Sequence, residues 1–347
     1  MEKFVSNPLF VMVGIASLMG STLVCGSFTR YFETDSSTGV EGYVQESPTA
    51  DNREADTPFI ACPRTLDRIL THAAGIEDAY PDTGGAPDEI SLVTYAVDGD
   101  HITELHLENV PADLRNYQTD GNAHQEIWEY FTTLIPLEAR ESVLAEYSLM
   151  TDGVGNELAV VTQTGFDPSR WVLSVDIADT GDKLYLTYTF IHELAHLLTL
   201  GPGQVKPSLA IFENPDDQDI YSAEAGACPD YFPGEGCSLP DSYLNTFFTE
   251  FWADINEEWR RINLIEDDSA YYEALDGFYY GYRDRFLTVY AATNPEEDIA
   301  ESFTIFILSP QPLGKSIADG KILFFYRFPE LVSLREKIME AICRLNQ

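Results

Sequence analysis

From Lys183 to Leu200 the chain is almost without charge and apolar, yet it carries His192, Glu193 and His196 in its middle. Leu184, Leu186, Phe190, Ile191, Leu194 and Leu197 would fall all round a helix, so such a helix has no solvated face and must be central. Asp182 stands where an N-cap belongs. Gly201 and Pro202 predict the stop, the glycine as a left-handed residue and the proline as a breaker. Two imidazoles and a carboxylate inside this helix are costly unless something pairs with them. His192 and His196 are four apart and share one face, while Glu193 is rotated roughly 100° from His192. The run His192-Glu193-Leu194-Ala195-His196 therefore offers two neutral imidazoles to one metal ion and a carboxylate that can take a proton from water. The alternative is a pair of satisfied core histidines.

A catalytic zinc needs a third protein ligand. His72, His101, His106 and His124 all precede the run without ligand-like spacing. Downstream, Asn294 reads as an N-cap and Pro295 as the first residue of a helix on which Glu297 and Glu301 share a face. Asn294 and Glu297 also have capping-box spacing, so Glu297 is either a ligand or a cap. Glu250 and Asp254 form a rival helical pair, read here as a solvated face.

The two segments together resemble the glutamate zincins, most of all the catalytic domain of anthrax lethal factor and related bacterial zinc peptidases. There, a helical H-E-x-x-H is followed by Y-x-x-T-N-x-x-E-x-x-A-E-x-F, and Tyr290, Thr293, Asn294, Glu297, Ala300, Glu301 and Phe303 stand at the matching places. The resemblance implies a Zn2+ cofactor held by His192, His196 and Glu297, with Glu193 as general base. Glu301 would buttress a ligand imidazole, and Tyr290 would donate to the oxyanion of the tetrahedral intermediate. Tyr279, Tyr280 and Tyr282 lie near Tyr290 in sequence. The implied fold is an α+β, two-lobed zincin, with a small mixed sheet before the zinc helix and a helical lobe after it. The implied activity is hydrolysis of peptide bonds. A catalytically inactive surface binding protein on the same fold is the competing expectation.

Net charge is −38, from 58 acidic and 20 basic residues, which argues against nucleic acid or an anionic membrane surface as partner. A peptide or protein substrate and a monomeric chain are expected instead. The acidity suits a high-salt habitat or an ordinary exported protein equally. Leu9 to Val24 is a charge-free run of about sixteen residues, short for a membrane span and suited to export. Cys25 closes it and is similar to the lipid-attachment cysteine of lipoproteins, although Thr22-Leu23-Val24 lacks the small residue expected ahead of it. An uncleaved anchor is the alternative, and both place the chain at the cell surface. Residues 26–58 read as an acidic, disordered tether, and 59–347 as the peptidase domain. Cys62, Cys228, Cys237 and Cys343 suggest two disulfides among three connectivities. The Pro/Gly-rich loop between Cys228 and Cys237 favours that local pair, leaving Cys62 to Cys343.

Within the domain, 59–201 holds the expected strands 90–97, 102–107, 158–164 and 171–177, helices over 62–74 and 123–134, and the zinc helix; 142–149 is ambiguous. Residues 202–347 hold a loop to about Pro240 and then helices over 242–263, 270–280, 283–292, 296–308 and 331–345. Trp171 to Ile177, the strand before the zinc helix, is the candidate rim of a substrate cleft, or else a plain core strand.

Overall fold

The computed structural model describes residues 62–77, 89–153 and 157–346. The expectations for residues 1–25, Cys25 among them, and for the tether 26–58 lie outside these. In chain order the elements are α1 (Pro63–Glu77), β1 (Ile90–Asp98), β2 (His101–Leu107), α2 (Arg115–Thr119), α3 (Gly121–Leu134), β3 (Leu144–Thr151), β4 (Ala159–Gln163), β5 (Trp171–Asp176) and α4 (Lys183–Leu200). Then follow β6 (Val205–Pro207), α5 (Leu209–Glu213), α6 (Gln218–Ala227), β7 (Gly236–Ser238), α7 (Tyr243–Phe251), α8 (Asn256–Ile262), α9 (Asp268–Tyr282), α10 (Pro295–Leu308), α11 (Ile317–Phe325) and α12 (Pro329–Leu345).

The class is α+β, with a small mixed sheet ordered β2-β1-β3-β5-β4. β3 and β5 run parallel, and the other neighbours are antiparallel. A two-residue turn, Gly99-Asp100, joins β1 to β2, and Gly99 takes the positive φ (63°) such turns require. Apolar residues alternate along β5, with Trp171, Leu173 and Val175 buried. One face is covered by α3: Trp128 meets Tyr147 of β3 at 5.1 Å between centroids, and Phe131 meets Phe190 of α4 edge-on at 5.1 Å. α4 is buried nearly throughout, as its all-round apolar pattern requires, and its most extensive helical partner is α10.

Several local expectations change. Asp182 does cap α4, its Oδ1 accepting from Leu184 N (3.1 Å) and Tyr185 N (3.2 Å). Gly201, however, is not left-handed; its φ is −59°. It must be glycine because a Cβ there would meet Leu197 O at 2.7 Å and Val143 Cγ1 at 3.1 Å. Of residues 142–149, 144–149 belong to β3 and the first two to the turn before it. The single helix expected over 242–263 is two, because Trp252 turns inward and donates from Nε1 to Asp298 Oδ2 (2.7 Å). Only the 3-10 turn Tyr290–Ala292 forms where a helix over 283–292 was expected. The loop expected from 202 to about Pro240 holds β6, α5, α6 and β7, and α11 carries no expectation from sequence.

Both disulfides, Cys62–Cys343 and Cys228–Cys237, are formed. They close chains of very different length, 281 and 9 residues apart. Loop-closure entropy assigns the first about 5 kcal/mol and the second roughly 2–3 kcal/mol. Paired Cys→Ser replacement at 62 and 343 should therefore lower the thermal midpoint about twice as far as replacement at 228 and 237. Equal losses would contradict the loop-length account.

Candidate metal centre

α4 and α10 cross so that His192, His196 and Glu297 meet. His192 Nε2 lies 2.9 Å from Glu297 Oε2 and 3.1 Å from His196 Nε2, and His196 Nε2 lies 3.4 Å from the same Glu297 oxygen. Ligands held ~2.0–2.2 Å from one tetrahedral zinc stand about 3.3–3.6 Å apart. The three separations are at or just below that spacing. All three residues are less than a tenth exposed.

The donor chemistry also fits a cation. Glu301 Oε1 lies 2.8 Å from His192 Nδ1, so the neutral ring donates its one proton there. Its Nε2 lone pair would then face the Glu297 carboxylate, acceptor against acceptor. A proton or a metal ion must lie between them. Without metal the proton does: burial opposes the charged ring, but Glu297 and Glu301 outweigh it and raise the His192 pKa well above its ordinary value. Burial likewise works against the Glu297 carboxylate, yet His196 and then His192 hold it well below the usual carboxylate range.

Each donor is held by its surroundings. Glu301 is fully buried and also accepts from Tyr188 OH (2.7 Å). Asn294 Oδ1 caps α10 by accepting from Glu297 N (2.7 Å). The capping half of the Asn294–Glu297 pattern is therefore present, while the Glu297 carboxylate turns to the histidines instead of its own helix end. Tyr188, one turn before His192, carried the same four-residue spacing as the histidines and was the signal sequence reasoning passed over.

Glu193 reaches the sheet. Its Oε2 accepts from Val161 N at 2.8 Å. Burial raises its pKa; His196 and His192 offset part of this, and Glu297 adds to it. The sheet order bears on the two readings of the strand before α4, cleft rim or plain core strand. β5 lies inside the sheet between β3 and β4, and β4 is the edge. Leu158 O and Thr164 N bond toward β5, so by the two-residue period Ala159, Val161 and Gln163 turn their backbone groups outward. β5 thus answers to the second reading, a plain core strand, and because strand order is non-local the sequence could not decide between the two.

Tyr290 stacks obliquely near His192, 5.9 Å between centroids, with 44 % of its surface exposed. Desolvation of the hydroxyl, then Glu297, Glu157, Glu193 and Glu301, push its pKa well above 10, so it remains a donor. Of its sequence neighbours, Tyr282 bonds Glu258 on the surface (2.8 Å). Three more carboxyls gather round the centre that the sequence did not signal. Burial pushes Glu157, at the head of β4, up to about 8, with Glu193 contributing. Burial also pushes Glu296 up to about 8 and Glu235 up to about 7. The rivals Glu250 and Asp254 are exposed and pair with Arg327 (2.7 Å) and Arg285 (2.8 Å). A separate carboxylate group, Asp152, Asp176 and Asp179, gathers within 4.8 Å. The Asp176 oxygens already accept from Asp152 N and Ala178 N.

Among the described residues no helix is long and apolar enough to cross a membrane. No protein-family model, curated protein or solved structure matches this chain.

Proposed function

We propose that this chain is a zinc-dependent peptidase of two-lobed, glutamate-zincin type, exported and held at the cell surface through residues 1–25. The observation that carries the reading is the convergence of two imidazole nitrogens and one carboxylate oxygen with a separate buried carboxylate, Glu193, beside them. His192, His196 and Glu297 would hold the ion. Zinc, when bound, would polarise the scissile carbonyl and make water acidic enough to attack near neutral pH. Glu193 takes the proton of the attacking water and returns it to the leaving amine nitrogen; its raised pKa suits both halves of that task. Tyr290, kept protonated, donates to the oxyanion as the carbonyl carbon becomes tetrahedral. The outward backbone groups of β4 offer an extended substrate a strand to pair with, which orients the scissile bond over the centre. The disulfides suit an oxidising compartment and support export.

The test is cleavage of a mixed peptide library by purified protein, with and without a zinc chelator. Chelator-sensitive cleavage restored by zinc is the expected result. Stoichiometric zinc without any cleavage would favour the surface binding protein, and absence of zinc would end the reading. Because His192 must give up the proton it holds against Glu297, zinc uptake should also release protons.

Glu297→Ala should bind zinc at least tenfold more weakly than wild type, by loss of one of three ligands. Glu250→Ala, on the surface against Arg327, should leave affinity unchanged. Chelator competition measures both, and the reverse ranking would overturn the assignment of Glu297.

A further inference from the structure

Among the described residues Glu193 has a single hydrogen-bond donor, and it is a backbone amide of the sheet edge. Val161 N gives its proton to Glu193 Oε2 at 2.8 Å, and both residues are buried. Leu158 O accepts from Asp176 N (2.9 Å) and Thr164 N donates to Arg170 O (2.8 Å). The even-numbered residues of β4 thus bond inward, and Val161 N points off the edge, where it owes nothing to the sheet. It stands midway along β4, with the outward groups of Ala159 on one side and of Gln163 on the other.

An amide has one proton to give. Its bond to a carboxylate is about twice as strong as its bond to a neutral carbonyl. A peptide strand laid along β4 therefore does not displace Glu193 from Val161 N. It is left with the outward groups of Ala159 and Gln163 and with Val161 O. Whichever way the strand runs, the one carbonyl that Val161 N would have taken stays unheld by the edge. That carbonyl lies beside Glu193, a carboxylate oxygen of which is within 4.8 Å of a ring nitrogen of His192 and of His196.

We infer that the Val161 amide is a positioning group for Glu193, withheld from the substrate, and that the substrate carbonyl opposite it is the one attacked, a role that rests on the peptidase reading. One oxygen of Glu193 is fixed by the edge strand, which leaves the other to take the proton of the attacking water. The strand then serves base and substrate through different amides. The gap in its pairing sets which peptide bond is cut.

The experiment measures kcat and KM of the full chain on one chelator-sensitive peptide, with zinc content and a thermal melt recorded beside them. Wild type is compared with Val161→Pro and with a form carrying the hydroxy acid of valine at 161. Proline removes the N–H, and since that N–H faces away from β5 it breaks no ladder bond. The hydroxy acid puts an ester in place of the amide and removes the N–H alone, so it decides the question where the proline variant does not fold. Both forms should lose about 10–100-fold in kcat through misplacement of the base, with KM and zinc content unchanged. In a Glu193→Gln background most of that loss should vanish, because the amide acts through Glu193. A raised KM with kcat kept would make the amide a substrate contact, and loss of zinc would make it a support for the ligands. Either overturns the role, as does an ester form with wild-type kcat or one whose full loss persists beside Glu193→Gln. Wild-type protein without chelator-sensitive cleavage overturns this role and the peptidase reading together.

Discussion

Glu193→Gln should keep zinc and lose peptidase activity by about 10²–10⁴-fold. The amide is nearly isosteric, and its oxygen can still accept from Val161 N, which now bonds Glu193 Oε2 at 2.8 Å. The side chain therefore stays where it is, while its ability to take and return a proton disappears. A Glu193 carboxylate oxygen lies within 4.8 Å of the two imidazoles, and the substitution leaves His192, His196 and Glu297 in place, so the ion should stay. Zinc stoichiometry by elemental analysis and kcat/KM on one chelator-sensitive peptide separate the two quantities. A Gln variant that keeps more than a tenth of the activity would remove Glu193 as base. A Gln variant that releases zinc would make Glu193 a ligand and require a different base.

Lys321→Met should destabilise the fold by about 3–5 kcal/mol at neutral pH without touching the metal-facing atoms. Lys321 and Asp298 form an ion pair buried on both sides, and Lys321 Nζ also sits 4.4 Å over the Phe286 ring. Removing the ammonium leaves a carboxylate in the core beneath α10, with only Trp252 Nε1 and Ser302 Oγ beside it. Burial already raises the Asp298 pKa against the pull of Lys321. Without Lys321 that rise must grow. A carboxyl whose folded pKa exceeds its unfolded one binds its proton better when folded. Its stabilising contribution is then complete below the unfolded value and lost as pH climbs through the folded one. The deficit of Lys321→Met relative to wild type should therefore shrink on acidification. Adding Asp298→Asn should recover part of it at pH 7. Urea unfolding at two pH values measures both effects, and a pH-independent deficit would show that Asp298 is not the group left stranded.

What the sequence disclosed is what lies within one turn of helix or one capping position. The spacing of His192 and His196, the Asp182 cap and the shared face of Glu297 and Glu301 are local, and each appears in the structure where the spacing puts it. The ambiguity at Asn294–Glu297 was also local, and it needed a contact across 105 residues to resolve. Strand order is of the same kind, since β4 and β5 carry similar Val-rich patterns and only pairing decides which one is the edge. Gly201 was assigned the commonest reason for a glycine, when its reason is a close approach to Leu197 O and Val143. The break after Phe251 has no Gly or Pro to announce it, because its cause is the distant Asp298. Glu157 and Glu235 are single acidic residues among 58, and nothing in their neighbourhood marks them for burial.

The bond between Cys62 and Cys343 also determines how the molecule carries load. It joins the first described residues to α12, near the far end of the chain. A pull applied between the segment before Cys62 and the residues after Cys343 runs straight through a covalent link and bypasses nearly every hydrogen bond and packed helix between them. For a protein held by its N-terminal side, drag on the C-terminal end would leave the crossing of α4 and α10 unstretched. Reducing that one bond would instead place the same tension on α1, whose His72 holds the Asp182 cap at the head of α4. Under reduction, force would reach the metal centre through the helix that carries its two histidines.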